Sequence, residues 1–323
     1  MKFSVVIPVY NAEKTLAMSL ESLQAQTFRD FEVVFVDDCS TDESPVIMRR
    51  FLEESGLPGR IIRQEKNGGV AAARNRGLAE AKGEYLCFLD ADDRMEKNAL
   101  EKAVSAAAGG ADIVGWDWTL GFAKNGRYMR QADYDSPLQA LKNLMGGTMR
   151  WNLWLFALKR SFVQSAGLRF IPGANMGEDM QFMIRACCQA GSVVQVHDSL
   201  YCYNAVSTTS LSRQFSDERR REISENLSLA LEGVRNSPYA GELAPYENHL
   251  KLFLKLPLLI GTDRRLYEIW YDWFPEANAC AMKNKALPLR TRLLQQAAAR
   301  RMWLIVKGYY ILVYRLIYGL IYR

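Results

Sequence analysis

The 323-residue chain is notable first for what it lacks. Its six cysteines form no CxxC pair, and the vicinal Cys187 and Cys188 sit in a helical pattern, so they read as reduced core thiols of a cytosolic protein rather than a disulfide framework. The apolar start, "KFSVVIPVY", reaches Pro8 without a small-residue cleavage site, so no signal peptide is expected. There is no GxGxxG or Walker pattern, no internal repeat and no low-complexity linker. No stretch offers the roughly 20 consecutive apolar residues that a spanning helix needs. From residue 281 to the end there is no acidic residue but nine basic ones, so the rest of a chain that is net +5 is itself net −4. A basic tail on a mildly acidic body implies an anionic partner for the tail.

What is present is an alternation of strands and helices. "FSVVIPVY", "FEVVFVDD" (31–38), "RIIRQE" (60–65), "EYLCFLD" (84–90) and "ADIVGWDW" (111–118) are short apolar runs of the kind buried on both faces of a sheet. Between them lie helical patterns: 13–26 with Leu16, Leu20 and Leu23 at helical spacing, one after the start signal Ser40-Thr41-Asp42-Glu43, an Ala-rich one within 67–83 stopped by Gly83, and 96–108. Such alternation predicts an α/β fold with a mainly parallel sheet, which binds ligands at the carboxyl ends of its strands. Tyr10-Asn11, Asp37-Asp38 and Asp90-Ala91-Asp92 all fall at such ends. Residues 151–212 are mixed and those from about 215 onward are helical, which places a boundary near 215: one domain over 1–215, then a helical region over 216–323.

Four stretches can carry chemistry, and each has a plainer reading. In "LCFLDADD", Asp90 and Asp92 are hard oxygen donors suited to Mg²⁺ or Mn²⁺, while Asp92 and Asp93 could equally cap the next helix. Asp38 can accept a hydrogen bond from a nucleobase or ribose, or cap a helix. In "NGGVAAARNRG", Gly68 and Gly69 permit a tight turn, and Arg74 could answer a phosphate, against a simple turn and helix start. In "GANMGEDMQF", Glu178 or Asp179 could be a general base, or could be acids favoured at a helix N-terminus.

Taken in order and spacing, "VVIPVYNAEKTLAMSLESLQAQTFRDFEVVFVDDCSTDES", "NGGVAAARNRGLAEAKGEYLCFLDADD" and "GEDMQF" resemble the family 2 glycosyltransferases over residues 3 to about 212. The resemblance implies a GT-A (Rossmann-like) fold and an inverting hexosyl- or N-acetylhexosaminyl-transferase that uses a nucleotide sugar, with UDP the expected nucleotide. Carried over by position, Pro8, Val9 and Tyr10 line the nucleoside pocket and Asp38 holds the base. Asn67 and Arg74 lie near the nucleotide. Asp90 and Asp92 form the metal-binding DXD motif for Mn²⁺ or Mg²⁺, with Asp92 the more direct ligand, and Asp179 is the base. Where many relatives carry Arg or His after the strand ending "LYCY", this chain has Asn204-Ala205. His197 is a further metal ligand or a structural histidine. Trp116, Trp118, Trp151 and Trp154 either stack on sugars or fill a core. The processive QxxRW motif is missing, which favours single-sugar addition over polysaccharide synthesis by one enzyme.

The tail, "MWLIVKGYYILVYRLIYGLIYR" (302–323), carries Lys307, Arg315 and Arg323 at intervals among Tyr, Ile and Leu. It reads as an interfacial helix on an anionic leaflet, against a helix packed on the protein or on a second copy. The expected partners are a nucleotide-sugar donor, a glycan or lipid-linked acceptor in cell-surface polysaccharide synthesis and the inner face of the cell membrane. Self-association is left open, and nucleic acid is excluded by the tail's aliphatic density. A nucleotidyltransferase would want a Gly-rich basic loop after the first strand, where "PVYNAEKT" has one lysine and no glycine. A scaffold that had kept only the fold would be expected to have lost Asp90, Asp92 or Asp179.

Overall fold

A computed structural model describes residues 1–122, 125–204 and 216–318. The expected boundary at 215, Ala205 and Arg323 lie outside the described residues. The first half runs β1 (Phe3–Val9), α1 (Leu16–Gln24), β2 (Phe31–Asp37), α2 (Ser44–Ser55), β3 (Gly59–Arg63), α3 (Gly69–Glu80), β4 (Tyr85–Phe88), β5 (Arg94–Met95) and α4 (Ala99–Ala106). Then come β6 (Ile113–Gly121), β7 (Gly126–Met129), α5 (Pro137–Gly146), β8 (Phe156–Lys159), α6 (Arg160–Ser165), α7 (Glu178–Gln189) and β9 (Val193–Asn204).

The strands join one sheet in the order β3-β2-β1-β4-β8-β6-β9-β5, with β7 on β6. From β3 to β4 every pairing is parallel; β8 then enters antiparallel to both β4 and β6, and β9 returns parallel to β6. The sheet is therefore mixed. Its parallel half is the one that the continuous apolar runs announce: β2 is buried at every position because helices cover both faces. All six cysteines are free, and burial pushes the Cys87 and Cys187 thiols well up.

Helix α3 lies close on β1. A β-carbon at Gly77 would stand 2.2 Å from Cγ1 of Val6, and Gly83 meets the backbone of Phe3 and Ser4 as tightly. That approach fixes where α3 carries Arg74. The start of α2 falls at Ser44, after Asp42 has accepted the Ser44 and Glu13 N–H groups, so the acidic start signal also ties the β1 and β2 turns together.

The helical region comprises α8 (Asp217–Arg235), α9 (Ala240–Leu243), α10 (Glu247–Lys255), α11 (Arg264–Asp272), α12 (Leu289–Ala299), α13 (Trp303–Tyr309) and a π-helical continuation, Tyr310–Tyr318. Leu227, Ala230, Leu231, Val234, Leu243 and Leu250 join the core of the sheet. A second core forms from Leu252 to Val306 around Tyr267 and Trp270. Lys255 is buried in it; its ammonium donates to the carbonyls of Trp273 (2.9 Å) and Phe274 (3.2 Å) and to Asn278 (2.6 Å), over the face of Trp270. Burial pushes its pKa down to about 7.

Gly77→Ala tests the α3–β1 approach. The alanine gains about 1 kcal/mol of helix propensity but overpacks a stiff valine at a cost of about 1–3 kcal/mol. A net loss in urea denaturation is expected, with Val6→Ala recovering part of it in the double variant.

Candidate active site

The turns after β1, β2 and β4 meet at one edge of the sheet, and carboxylates hold them. Asp38, buried, accepts the backbone N–H of Gly68 (2.7 Å) and Gly69 (2.8 Å) and the amide of Gln64. It thereby anchors the "NGG" turn. Gly69 has φ +79°, which favours glycine, and a β-carbon there would lie 2.4 Å from Oδ1 of Asn175, whose side chain would have to shift. Asn67 is exposed and accepts the same Gly69 N–H at 3.2 Å. Asn11 takes a left-handed conformation, φ 48°, stitched to the β2 turn by Ser40 and Thr41. Tyr10 is half exposed beside it and Pro8 half buried, whereas the side chain of Val9 lies in the core.

The Asp90–Asp93 turn is built from buried bonds. The Ser19 hydroxyl donates to the carbonyls of Asp93 (2.6 Å) and Asp90 (3.3 Å). The Tyr201 hydroxyl accepts the Asp90 N–H (3.2 Å) and donates to the Asp93 carboxylate (2.8 Å), whose other oxygen accepts the Asn204 N–H (2.7 Å). Asp93 thus pins the turn to β9 and does not cap a helix; α4 begins only at Ala99, with Asn98 before it. Burial and the neighbouring Asp90 push Asp93 up to about 8. Asp90 and Asp92 remain partly open to solvent. Burial, opposed by Arg74 and reinforced by Asp92 and Asp179, pushes Asp90 up to about 6.

Arg74 links this turn to the start of α7. It is 3% exposed. One terminal nitrogen, Nη1, donates to Glu178 (2.7 Å) and Asp179 (2.6 Å), and Nη2 faces Asp90 at 3.5 Å. The other Asp179 oxygen accepts the Leu153 N–H at 3.0 Å. Burial and the Asp179 charge push Glu178 up to about 8. The guanidinium itself is driven upward because the three carboxylates outweigh its burial. Arg74, expected near the nucleotide, is in this structure committed to three carboxylates.

Surplus negative charge at Asp90 and Asp92, hard oxygen donors and an open side fit a divalent cation that completes its shell from water and substrate oxygens. Among the described residues no three His, Cys, Asp or Glu side chains form a ready-made cage, and Asp90 and Asp92 are the two carboxylates that would contribute to such a shell. His197 stands elsewhere, its ring nitrogens 3.4 Å from Asp117 and 3.3 Å from Asp133. Trp116, Trp118 and Trp154 are buried, and Trp154 stacks on Tyr201 at 4.3 Å, backing the hydroxyl that holds the turn. Trp151 is half buried against Phe253. Sequence reading missed Ser19 and Tyr201; the available signal was a serine on the apolar face that carries Leu16, Leu20 and Leu23.

The geometry has counterparts. The structure of Staphylococcus aureus TarS residues 1–349 with UDP-GlcNAc superimposes with a TM-score of 0.72 at 22% identity, covering 96% of this chain and 91% of that one. The Pyrobaculum calidifontis mannosyltransferase PcManGT, in complex with GDP-Man and Mn²⁺, gives 0.56 at 20% identity over 96% and 85%. These likenesses establish the GT-A fold. In sequence, the glycosyltransferase GlyG of Streptococcus pneumoniae serotype 4 (strain ATCC BAA-334 / TIGR4) is 30% identical over 70% of this chain and 78% of its own. The model of the glycosyl transferase family 2 matches residues 4–179, more than half of the chain and every acidic group described above. The chain belongs to glycosyl transferase family 2 and is a glycosyltransferase.

Proposed function

We propose that residues 1–215 transfer a single sugar, with inversion, from a UDP-sugar to a hydroxyl of a glycan or lipid-linked acceptor in cell-surface polysaccharide synthesis. The observation that carries this reading is the convergence of Asp38, Asp90, Asp92 and Asp179 from three segments on one edge of the sheet, with Asp90 and Asp179 answered by the same guanidinium. The UDP-GlcNAc bound by TarS, a poly(ribitol-phosphate) β-N-acetylglucosaminyltransferase, supports a UDP-linked donor and a polymeric acceptor.

In this reading the turns bearing Pro8–Tyr10 and Asn67 frame the nucleoside, and Asp38 holds them and meets the base with its remaining acceptor capacity. Asp90 and Asp92 would hold Mn²⁺ or Mg²⁺, which when bound neutralises charge on the leaving diphosphate. Asp179 accepts the proton of the acceptor hydroxyl. The oxygen forms its bond to the anomeric carbon as the bond to the diphosphate breaks on the opposite face and its electron pair leaves with the nucleotide. Leu153 and Arg74 fix the Asp179 carboxylate so that it can take the proton without rotating.

A panel of UDP-, GDP- and dTDP-sugars with either cation tests the donor, read by thermal shift and hydrolysis. Asp179→Asn is expected to bind the selected donor as the parent does while turnover falls about 10²–10⁴-fold; unimpaired turnover would remove Asp179 as the base. Asp92→Asn is expected to lose cation-dependent donor hydrolysis.

We further propose that residues 216–323 rest on an anionic membrane surface, at the inner face of the cell membrane. No helix of the described residues is long and apolar enough to cross a membrane. Val306 is buried in the second core, while Leu304 (87% exposed), Ile305 and Leu312 face outward on the helical segment that also carries exposed Lys307 and Arg315. An apolar outer face edged by cations suits anionic headgroups and acyl chains, whereas pairing it with its own copy would set like charges against each other. Binding to phosphatidylglycerol-containing vesicles, weak on pure phosphatidylcholine and lost in Leu304→Ser/Ile305→Ser/Leu312→Ser, is the expected result. Equal sedimentation of parent and variant would overturn it.

A further inference from the structure

We infer that Arg74 is a positioning residue that couples the donor and acceptor sides of the site, acting through Asp179 and Asp90 and not by gripping the nucleotide. The inference rests on the reading of Asp179 as base and Asp90 as a donor-side carboxylate.

Three observations carry it. First, Arg74 has almost no exposed surface, and its terminal nitrogens are committed to acids from two regions more than 80 residues apart. Second, its packing belongs to the frame: the guanidinium lies over Phe170 at 5.7 Å, Phe170 stacks on Phe182 of α7 at 4.4 Å and meets Phe88 of β4 edge-on at 6.4 Å. The neighbouring Asn75 exchanges two hydrogen bonds with the Phe170 backbone (2.8 and 2.9 Å), locking that segment to α3. The strand leading to Asp90 and the helix that carries Asp179 therefore share one aromatic stack, with the arginine over its central ring. Third, the job suits only a planar fork. A guanidinium reaches acceptors on two sides at once, while a lysine ammonium is a point charge that would sit with one group of acids or the other.

The consequence is geometric. Asp90 and Asp179 stand one guanidinium apart, so the place where the donor's leaving group is held and the place where the acceptor proton is taken are set by a single side chain. The reacting atoms need alignment within about half an ångström to keep the advantage of proximity. Glu178 shares Nη1 with Asp179 and so sets how far that nitrogen lies from the base.

The test is a cycle between Arg74→Lys and Asp179→Asn, with UDP binding measured by calorimetry without added metal and folding checked by circular dichroism. Arg74→Lys is expected to lower kcat about 10²-fold, with KM for the donor and the UDP dissociation constant within about threefold of the parent. In the Asp179→Asn background the same substitution is expected to cost about tenfold or less, because one of the two groups it positions is already disabled. A UDP affinity that falls in step with kcat, a full 10²-fold loss retained in the Asp179→Asn background, or parental kcat in Arg74→Lys would each overturn the inference. Parental turnover in Asp179→Asn alone would instead remove the base assignment. Should Arg74→Lys fail to fold, Glu178→Gln supplies the second probe. It frees Nη1 from one of its two acids, and a kcat change with unchanged UDP affinity is expected; an unchanged kcat would overturn the inference.

Discussion

One buried guanidinium facing three carboxylates is the interaction on which the site's geometry depends. Two like charges about 4 Å apart repel by on the order of 4 kcal/mol at the effective dielectric of a protein. Asp90, Glu178 and Asp179 could not crowd together as anions without Arg74 among them. Arg74 can be there only because α3 lies hard against β1, and that approach depends on Gly77 having no side chain. A glycine in a helix, a local liability, thus places the charge that lets distant acids share an edge. Even with Glu178 pushed toward its neutral form, one positive charge does not balance Asp90, Asp92 and Asp179; the surplus is what a divalent cation would relieve.

Aspartates perform three physically different tasks along this edge. Asp38 spends acceptor capacity on the Gly68 and Gly69 N–H groups and so shapes a turn. Asp93 is buried and binds Tyr201 and Asn204, joining the β4 turn to β9. Asp90 and Asp92 keep open oxygens. The division follows from burial: Asp93 spends both oxygens on Tyr201 and Asn204, Asp38 in the proposed reading shares its oxygens between the turn and a ligand, and the solvent-facing oxygens of Asp90 and Asp92 are left for ligands. Trp154 contributes indirectly, since its ring fixes Tyr201 and Tyr201 fixes both Asp90 and Asp93.

This division also explains what could be read from the chain. The parallel half was legible because a strand covered on both faces must be a continuous apolar run; all four of its expected strands appear, and the fifth expected strand is β6 of the mixed half. The family followed from the order and spacing of the motifs that carry Asp38, Asn67, Asp90 and Asp179. The partners of Arg74 were not legible: it meets acids 104 and 105 positions away, and nothing local separates a guanidinium that will meet a phosphate from one that will meet carboxylates. Asp93 looked like a cap because the residues that satisfy it arrive from β9. The tryptophans were ambiguous for a related reason, as an aromatic ring suits a sugar face and a core equally well. The antiparallel entry of β8 was hidden too, since "FALK" is too short to carry a period.

The helical region bears on the chemistry through packing. Helix α10 belongs to both cores, with Leu250 in the core of the sheet and Leu252 in the C-terminal one. Its Phe253 meets Trp151 edge-on at 4.8 Å and lies beneath the guanidinium of Arg150. Two residues beyond Trp151 is Leu153, whose N–H holds the Asp179 carboxylate. The segment that orients Asp179 is therefore clamped by the helix from which the C-terminal core is built. Lys255 at the end of α10 is locked by three acceptors from the segment after α11, which makes that end of the helix a rigid joint. A membrane surface that fixed the outer face of α13 would, through these contacts, also fix the direction from which a lipid-linked hydroxyl approaches Asp179. The same helices would then hold both the base and the surface that presents the acceptor.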